Sequence, residues 1–88
     1  MESELFIKTA RELIVAYYKE YLSQEISFED TYVVWSCKTL QNSKGLFSTN
    51  IPDTRYFEVT YNGDKNEIYF DSYTKEFNKA FGANGEVR

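Results

Sequence analysis

The chain has 88 residues, a formal net charge of −4 at pH 7 and an aromatic content of 18%. This length predicts one domain, residues 1–88, and a domain so small depends on its large apolar side chains for stability. The single cysteine excludes an internal disulfide, and the lack of histidine removes the usual general base and the commonest metal ligand. No apolar run has the length of a transmembrane helix, and the N-terminus is acidic, so we expect a cytoplasmic protein.

The charge is unevenly distributed along the chain. Residues 1–30 contain seven acidic and three basic side chains and so hold all of the −4, whereas residues 31–88 contain seven of each. Proteins that bind nucleic acid usually have a basic patch, and the sequence has no basic cluster. Direct binding of DNA or RNA is therefore disfavoured.

Residues 3–23 have the periodicity of an amphipathic helix, uninterrupted by Pro or Gly, and Ser3 is placed to cap it. One apolar stripe is predicted to face the core. A second apolar set falls off this stripe, and we interpret it as ordinary scattered surface residues in preference to a second contact patch. The stripe consists of Phe6, Ala10, Leu13, Ile14, Tyr17 and Tyr21, and the off-stripe set consists of Ile7, Val15, Tyr18 and Leu22.

Residues 31–40 contain the only Trp, the only Cys and the strongest run of β-formers, and are predicted to be the first and most central strand. Alternation places Val33, Trp35 and Cys37 on one apolar face, which we expect to be buried under the helices. The polar run at 41–45 predicts a turn, followed by a short strand at 46–50.

Residues 55–61 and 66–71 alternate as two further strands, joined by the turn-forming residues 62–65. A four-residue loop would pair Val59 with Ile68, whereas a two-residue loop would pair Val59 with Asn66. Because apolar residues prefer to face each other across strands, the longer loop is predicted. It pairs Phe57 with Phe70 on the inner face and sets Tyr56, Glu58 and Thr60 opposite Asp71, Tyr69 and Glu67 on the outer face.

Residues 72–81 are predicted to form a second helix, capped by Asp71 or Ser72 and ended by Gly82. Its apolar residues Tyr73, Phe77, Ala80 and Phe81 have helical spacing. The fold class is therefore predicted to be α+β, in the order α-β-β-β-β-α. A four-stranded antiparallel meander would carry two helices packed on one face and leave the other face open. We expect an ordered core over about 3–82 and a frayed tail at 83–88.

The sequence contains no catalytic motif, and we predict that the protein is not an enzyme. Cys37 lies in the middle of a strand beside Trp35, a setting typical of a buried apolar thiol. Glu67 and Asp71 would be roughly 13 Å apart along a strand, farther than a glycosidase pair requires. Neither a metal site nor a cofactor is predicted.

The outer face of the sheet is the best candidate for a binding surface. Tyrosine is enriched in interface hot spots, but it is also favoured on exposed strands by propensity alone, and the two interpretations are about equally supported. The candidate partner-binding residues are Tyr32, Tyr56, Glu58, Glu67, Tyr69 and Asp71.

Two stretches resemble a family of small proteins of unknown function encoded by phages and prophages of Gram-positive bacteria. The first is 32–42, with Lys44, Leu46 and 48–49, and the second is 61–67, with Tyr69, Asp71 and Tyr73. The resemblance covers about 4–81 and offers no active site to carry over. Double-stranded-RNA-binding domains have a similar α-β-β-β-α order, but the fourth strand and the lack of a basic loop mean that their function does not transfer.

The resemblance implies, by analogy with other small acidic phage proteins, a partner in the host bacterial cytoplasm. The first hypothesis is a non-enzymatic module that binds a host protein and inhibits a defence or nucleic-acid-handling enzyme. The alternative is an oligomer-forming accessory or regulatory protein of phage replication, for example a homodimer. A small hydrolase is disfavoured because there is no histidine and no nucleophile motif.

Overall fold

The computed structural model describes residues 1–87. Within them, one α-helix, α1 (Ser3–Tyr21), is followed by a 3-10 turn (Phe28–Asp30) and four strands. The strands form one antiparallel sheet in the order β1-β2-β3-β4, which confirms the predicted α+β class and meander. Their bounds are β1 (Thr31–Thr39), β2 (Asn42–Thr49), β3 (Arg55–Asn62) and β4 (Glu67–Thr74).

Helix α1 agrees with its predicted bounds to within two residues, but its cap and its buried stripe differ. The carboxylate of Glu2, rather than Ser3, accepts a hydrogen bond from the backbone N–H of Glu4 at 2.8 Å. Tyr18 is fully buried and Tyr21 is 73% exposed, the reverse of the prediction. The buried residues follow a spacing of four, which drifts around a helix of 3.6 residues per turn. They are Phe6, Ala10, Ile14 and Tyr18.

The prediction of a second helix at 72–81 is wrong, because β4 continues to Thr74 and residues 75–80 have no regular structure. Tyr73 pairs with Tyr56 across the sheet, so strand pairing overrides the helical spacing of the sequence. Phe81 forms an isolated bridge with Val87, and within the described chain the expected helix face stays exposed. In the tail predicted to fray, Gly85 donates a backbone hydrogen bond to Gly82, and Arg88 lies outside the described residues.

Strand β1 lies at an edge of the sheet, not at its centre, and it contains a bulge. Val33 pairs with Phe47 but Trp35 pairs with Leu46, so Val34 is an extra residue that inverts the alternation beyond it. The predicted burial of Val33, Trp35 and Cys37 is therefore wrong: all three are exposed, Trp35 by 46%. Trp35 and Cys37 lie on the side of the sheet opposite α1.

The first hairpin turns earlier than predicted. Its turn is Leu40 and Gln41, with Leu40 at a φ of +56°, and β2 already begins at Asn42. Gly45 consequently lies within β2, not in a turn. A Cβ at this position would stand 2.7 Å from the Phe47 ring, so the close approach of that ring requires glycine.

The loop between β3 and β4 has the predicted four residues but begins one residue later, at 63–66. Asn62 accepts hydrogen bonds from the backbone N–H groups of Asp64 and Lys65, and Asn66 adopts the positive φ of 52°. The predicted register is therefore wrong by two residues, a shift that keeps every side chain on its predicted face. The observed pairs are Val59–Phe70, Tyr61–Ile68 and Phe57–Ser72 on the inner face, and Glu58–Asp71, Thr60–Tyr69 and Tyr56–Tyr73 on the outer face.

The core lies between α1 and the inner face of β2 and β3. Aromatic rings meet mostly edge to face, with centroids 6.2 Å apart for Phe6 and Phe47 and 5.9 Å apart for Tyr18 and Phe57. Ile68 and Phe70 on β4 are only partly buried, because one helix covers the face on which two were expected. The other core members are Ala10, Ile14, Val59 and Tyr61.

Candidate functional site

The side of the sheet opposite α1 is called the open face below. Strand pairing places all six predicted partner-binding residues on it. Tyr32 is 48% and Tyr69 43% exposed, while Tyr56 and Glu58 are half-buried among their neighbours. The open face thus comprises Tyr32, Trp35, Cys37 and Thr39 from β1, Asn42, Lys44, Leu46 and Ser48 from β2, Tyr56, Glu58, Thr60 and Asn62 from β3, and Glu67, Tyr69, Asp71 and Tyr73 from β4.

Two aromatic residues of the open face are not among the six predicted partner-binding residues. Trp35 reaches this face only because of the bulge at Val34, and strict alternation gives no signal for it. Tyr73 continues the alternation of Tyr69 and Asp71, and it would have been found if the strand had been extended past residue 71. Tyr73 is 53% exposed.

The acidic side chains of the open face lie on β3 and β4, and its one basic side chain, Lys44, lies on β2. Glu58 stands directly opposite Asp71, and the Lys44 ammonium lies 3.5 Å from the Glu58 carboxylate. The Tyr69 hydroxyl donates a hydrogen bond to Glu67 at 2.6 Å, which raises the pKa of Tyr69 above its ordinary value. The β1 side carries no carboxylate. Rings lie at both edges of the face, Tyr32 and Trp35 on β1 and Tyr69 and Tyr73 on β4, whereas the carboxylates lie only on β3 and β4.

A shallow hollow of about 330 Å³ lies on the open face beside Trp35 and Cys37. The Cys37 sulfur is 3.7 Å from the Thr39 hydroxyl. The chain has no histidine to activate this thiol. Among residues 1–87, no group of three or more acidic or cysteine side chains is arranged to hold a metal ion. The hollow is also lined by Asn42, Ser43, Lys44 and Thr60.

The off-stripe set on α1 does not form a surface patch. Tyr18 is fully buried and its hydroxyl is bonded to Asp53, so its assignment to a second contact patch is wrong. Ile7 and Leu22 are half-buried against the core. Val15 alone lines a surface groove, which it shares with Lys8, Glu12 and Phe28.

These features define a small α+β domain with one helix on a four-stranded meander and an aromatic, acidic open face. The model of a family described as a family of unknown function (DUF6275) matches residues 7–83. The chain therefore belongs to that family. No curated protein and no solved structure matches it. No helix in residues 1–87 is long and apolar enough to cross a membrane.

Proposed function

We propose that the chain is a non-enzymatic binding module that holds a basic protein surface against its open face. The observation on which this rests is a cluster of half-exposed aromatic rings beside carboxylates, on a face that no other element of residues 1–87 covers. The proposal has two physical parts, the rings and the carboxylates.

The rings supply contact area at low entropic cost. Trp and Tyr are the side chains most enriched in interface hot spots, because they bring rigid apolar area together with a polar group. Tyr32, Trp35, Tyr69 and Tyr73 are all between 43% and 53% exposed. Isolated apolar residues on a surface need no explanation, but four such rings on one sheet face favour a binding role.

The carboxylates select the sign of the partner's charge. Glu58 and Asp71 face each other across β3 and β4, an arrangement of like charges that weakens strand pairing. A guanidinium or ammonium group of a partner would relieve this repulsion and could also stack on the neighbouring rings. A basic partner is therefore favoured over an acidic or neutral one.

The resemblance to phage-encoded proteins adds a cellular setting to the proposal. The partner would be a host protein in the bacterial cytoplasm, and the protein would be a phage product acting there. Enzymes that handle nucleic acid have basic sites for phosphates, so inhibition of a host nuclease or another defence enzyme fits a face of this charge. A second candidate, an oligomer-forming accessory or regulatory protein of phage replication, is favoured by the uncovered edge of β1.

The test is affinity capture from a host lysate, followed by titration of the purified partner against variants. Tyr69→Ala and Tyr73→Ala should each weaken binding by about tenfold or more while the fold is retained, as truncation of a hot-spot residue does. Glu58→Lys combined with Asp71→Lys should slow association and flatten its salt dependence.

Tyr21→Ala is the matched control, because Tyr21 is an exposed tyrosine on α1. It should bind the partner as the wild type does. The proposal is overturned if the variants of Tyr69 and Tyr73 keep full affinity, or if Tyr21→Ala loses as much affinity as they do.

A further inference from the structure

The free edge of β1 is a second surface, separate from the open face. Only Thr31 of this strand is buried, and the rest of the strand is exposed on both sides. The outer edge of such a strand presents unpaired backbone N–H and C=O groups, which can template another strand. No other element of residues 1–87 pairs with this edge.

The bulge limits which part of the edge is regular. Beyond Val34 the pairing with β2 is unbroken, from Trp35–Leu46 to Thr39–Asn42. Because the turn has two residues, Thr39 and Asn42 form the hydrogen-bonded pair that closes the hairpin. Alternation then directs the backbone groups of Ser36 and Lys38 to the free edge.

We propose that a second copy of the chain pairs with this segment, antiparallel, about a two-fold axis at Cys37. Ser36 of each copy then faces Lys38 of the other, and their backbone groups make the new hydrogen bonds. The two Cys37 residues face each other as a non-hydrogen-bonded pair, with Cα atoms about 4.5 Å apart. The two sheets become one sheet of eight strands, and their open faces become continuous.

Charge favours a second copy over a basic strand at this edge, and self-pairing sets no like charges directly opposite each other. Residues 31–40 contain Lys38 and no acid, although the chain as a whole has a net charge of −4. A basic partner would be drawn to the carboxylates of β3 and β4, away from β1. At the opposite edge, self-pairing of β4 about a two-fold axis at Tyr69 would set Glu67 of one copy opposite Asp71 of the other.

Side-chain burial favours the same pairing. The two-fold axis sets Trp35 of one copy opposite Thr39 of the other, next to Leu40, which is 90% exposed in the monomer. Lys38 lies opposite Ser36, so the two ammonium groups do not meet. An isologous contact of this length stays below the roughly 1,200 Å² of a standard interface, and we therefore expect a weak dimer that depends on concentration.

The native cysteine gives a direct test. Oxidation of the full chain with copper phenanthroline at high concentration should link two copies through Cys37, because cross-strand Cα atoms at this spacing accommodate a disulfide. A chain carrying Cys37→Ser with Asp71→Cys moves the only thiol to β4 and should not cross-link. Sedimentation equilibrium over a concentration series should show a monomer–dimer equilibrium for the wild type.

Charge placed on the axis should break the dimer. Cys37→Asp sets two carboxylates opposite each other and should weaken dimerisation by more than about tenfold, since juxtaposed like charges in an interface are costly. Tyr69→Asp adds the same charge on β4 and should leave the dimer intact, as should Cys37→Ser. Circular dichroism checks that Cys37→Asp, a change at an exposed position, keeps the fold.

The proposal is overturned by a chain that stays monomeric at all concentrations. It is equally overturned if Cys37→Asp leaves the dimer unchanged, or if the thiol at position 71 cross-links as well as Cys37 does. None of these outcomes depends on binding of a basic partner. A failure of the dimer proposal can therefore be distinguished from a failure of the proposed function.

Discussion

Tyr18 shows at the scale of one residue how α1 is fixed on the sheet. Its ring is fully buried and its hydroxyl donates a hydrogen bond to Asp53 at 2.5 Å, in the turn between β2 and β3. Arg55 donates to the same carboxylate at 3.2 Å. Burial, followed by the bond to Asp53, raises the pKa of Tyr18 to about 12. The helix is thus tied at its C-terminal end to a sheet turn, a contact that helical periodicity alone cannot predict.

Replacement of Tyr18 by Phe removes the hydroxyl and keeps the ring. We expect Tyr18→Phe to lower the free energy of unfolding by about 1.5–3 kcal/mol, the range for a hydrogen bond to a charged group. Because the folded pKa lies above the unfolded value of 10.0, this hydroxyl contributes fully below pH 10. The contribution is lost as the pH rises from 10 through about 12.

Urea denaturation from pH 7 to 11.5 measures this difference. The gap in unfolding free energy between wild type and Tyr18→Phe should be constant below pH 10 and should shrink above it. Tyr21→Phe, at an exposed position, should show no gap at any pH. A constant gap up to pH 11.5 would contradict the raised pKa.

At the scale of elements, local patterns predicted α1 and all four strands, while contacts between elements decided the remaining features. Phe57 and Val59 are buried as alternation predicts. Trp35 is not, because one extra residue inverts the strand, and nothing in the local composition marks that bulge. The predicted second helix failed because strand β4 could extend its pairing to Thr74, which an isolated helical spacing does not reveal.

Substitutions at the edge and at the centre of the sheet should therefore lower the free energy of unfolding by different amounts. Trp35→Ala should lower the free energy of unfolding by only about 1 kcal/mol, since Trp35 is 46% exposed at the sheet edge. Phe57→Ala, in β3 beneath the helix, should cost about 3–5 kcal/mol. Denaturant titration of both variants below the concentration of dimer formation makes the comparison, and equal losses would contradict the edge position of Trp35.

At the scale of the whole molecule, the sequence predicted the open face more reliably than the pairing that builds it. All six candidate residues share that face even though the β3–β4 register was wrong, because a shift of two residues preserves the side of every side chain. Trp35 was missed because a shift of one residue does the opposite. The less favoured interpretation of the off-stripe residues on α1 as a contact patch fails at Tyr18, whose side chain turns inward to Asp53. The face on which a strand residue lies is thus predicted correctly even when the register is wrong by two residues. A bulge in a strand or a rotation of a helix, by contrast, changes which side chains are exposed.

The negative charge of the molecule favours a protein partner over nucleic acid. Rings on an open sheet face could stack on bases, but binding of single strands also needs a positively charged groove. The open face has three carboxylates, Glu58, Glu67 and Asp71, against one ammonium group, Lys44. We therefore expect the wild type to bind duplex or single-stranded DNA and RNA more weakly than about 10⁻⁴ M at physiological salt, at or beyond the weak end of non-specific binding.

Fluorescence anisotropy with labelled oligonucleotides measures this affinity, and a charge-reversed variant is the positive control. Glu58→Lys with Asp71→Lys changes the charge by +2 at each position, from −4 to 0, and surrounds the rings with cations. This variant should bind single strands measurably, with an affinity that falls as salt rises, because the rings are retained while the repulsion of phosphates is removed. Sub-micromolar, salt-sensitive binding by the wild type would instead show that the carboxylates do not repel phosphates, and the argument for a basic protein partner would then fail with it.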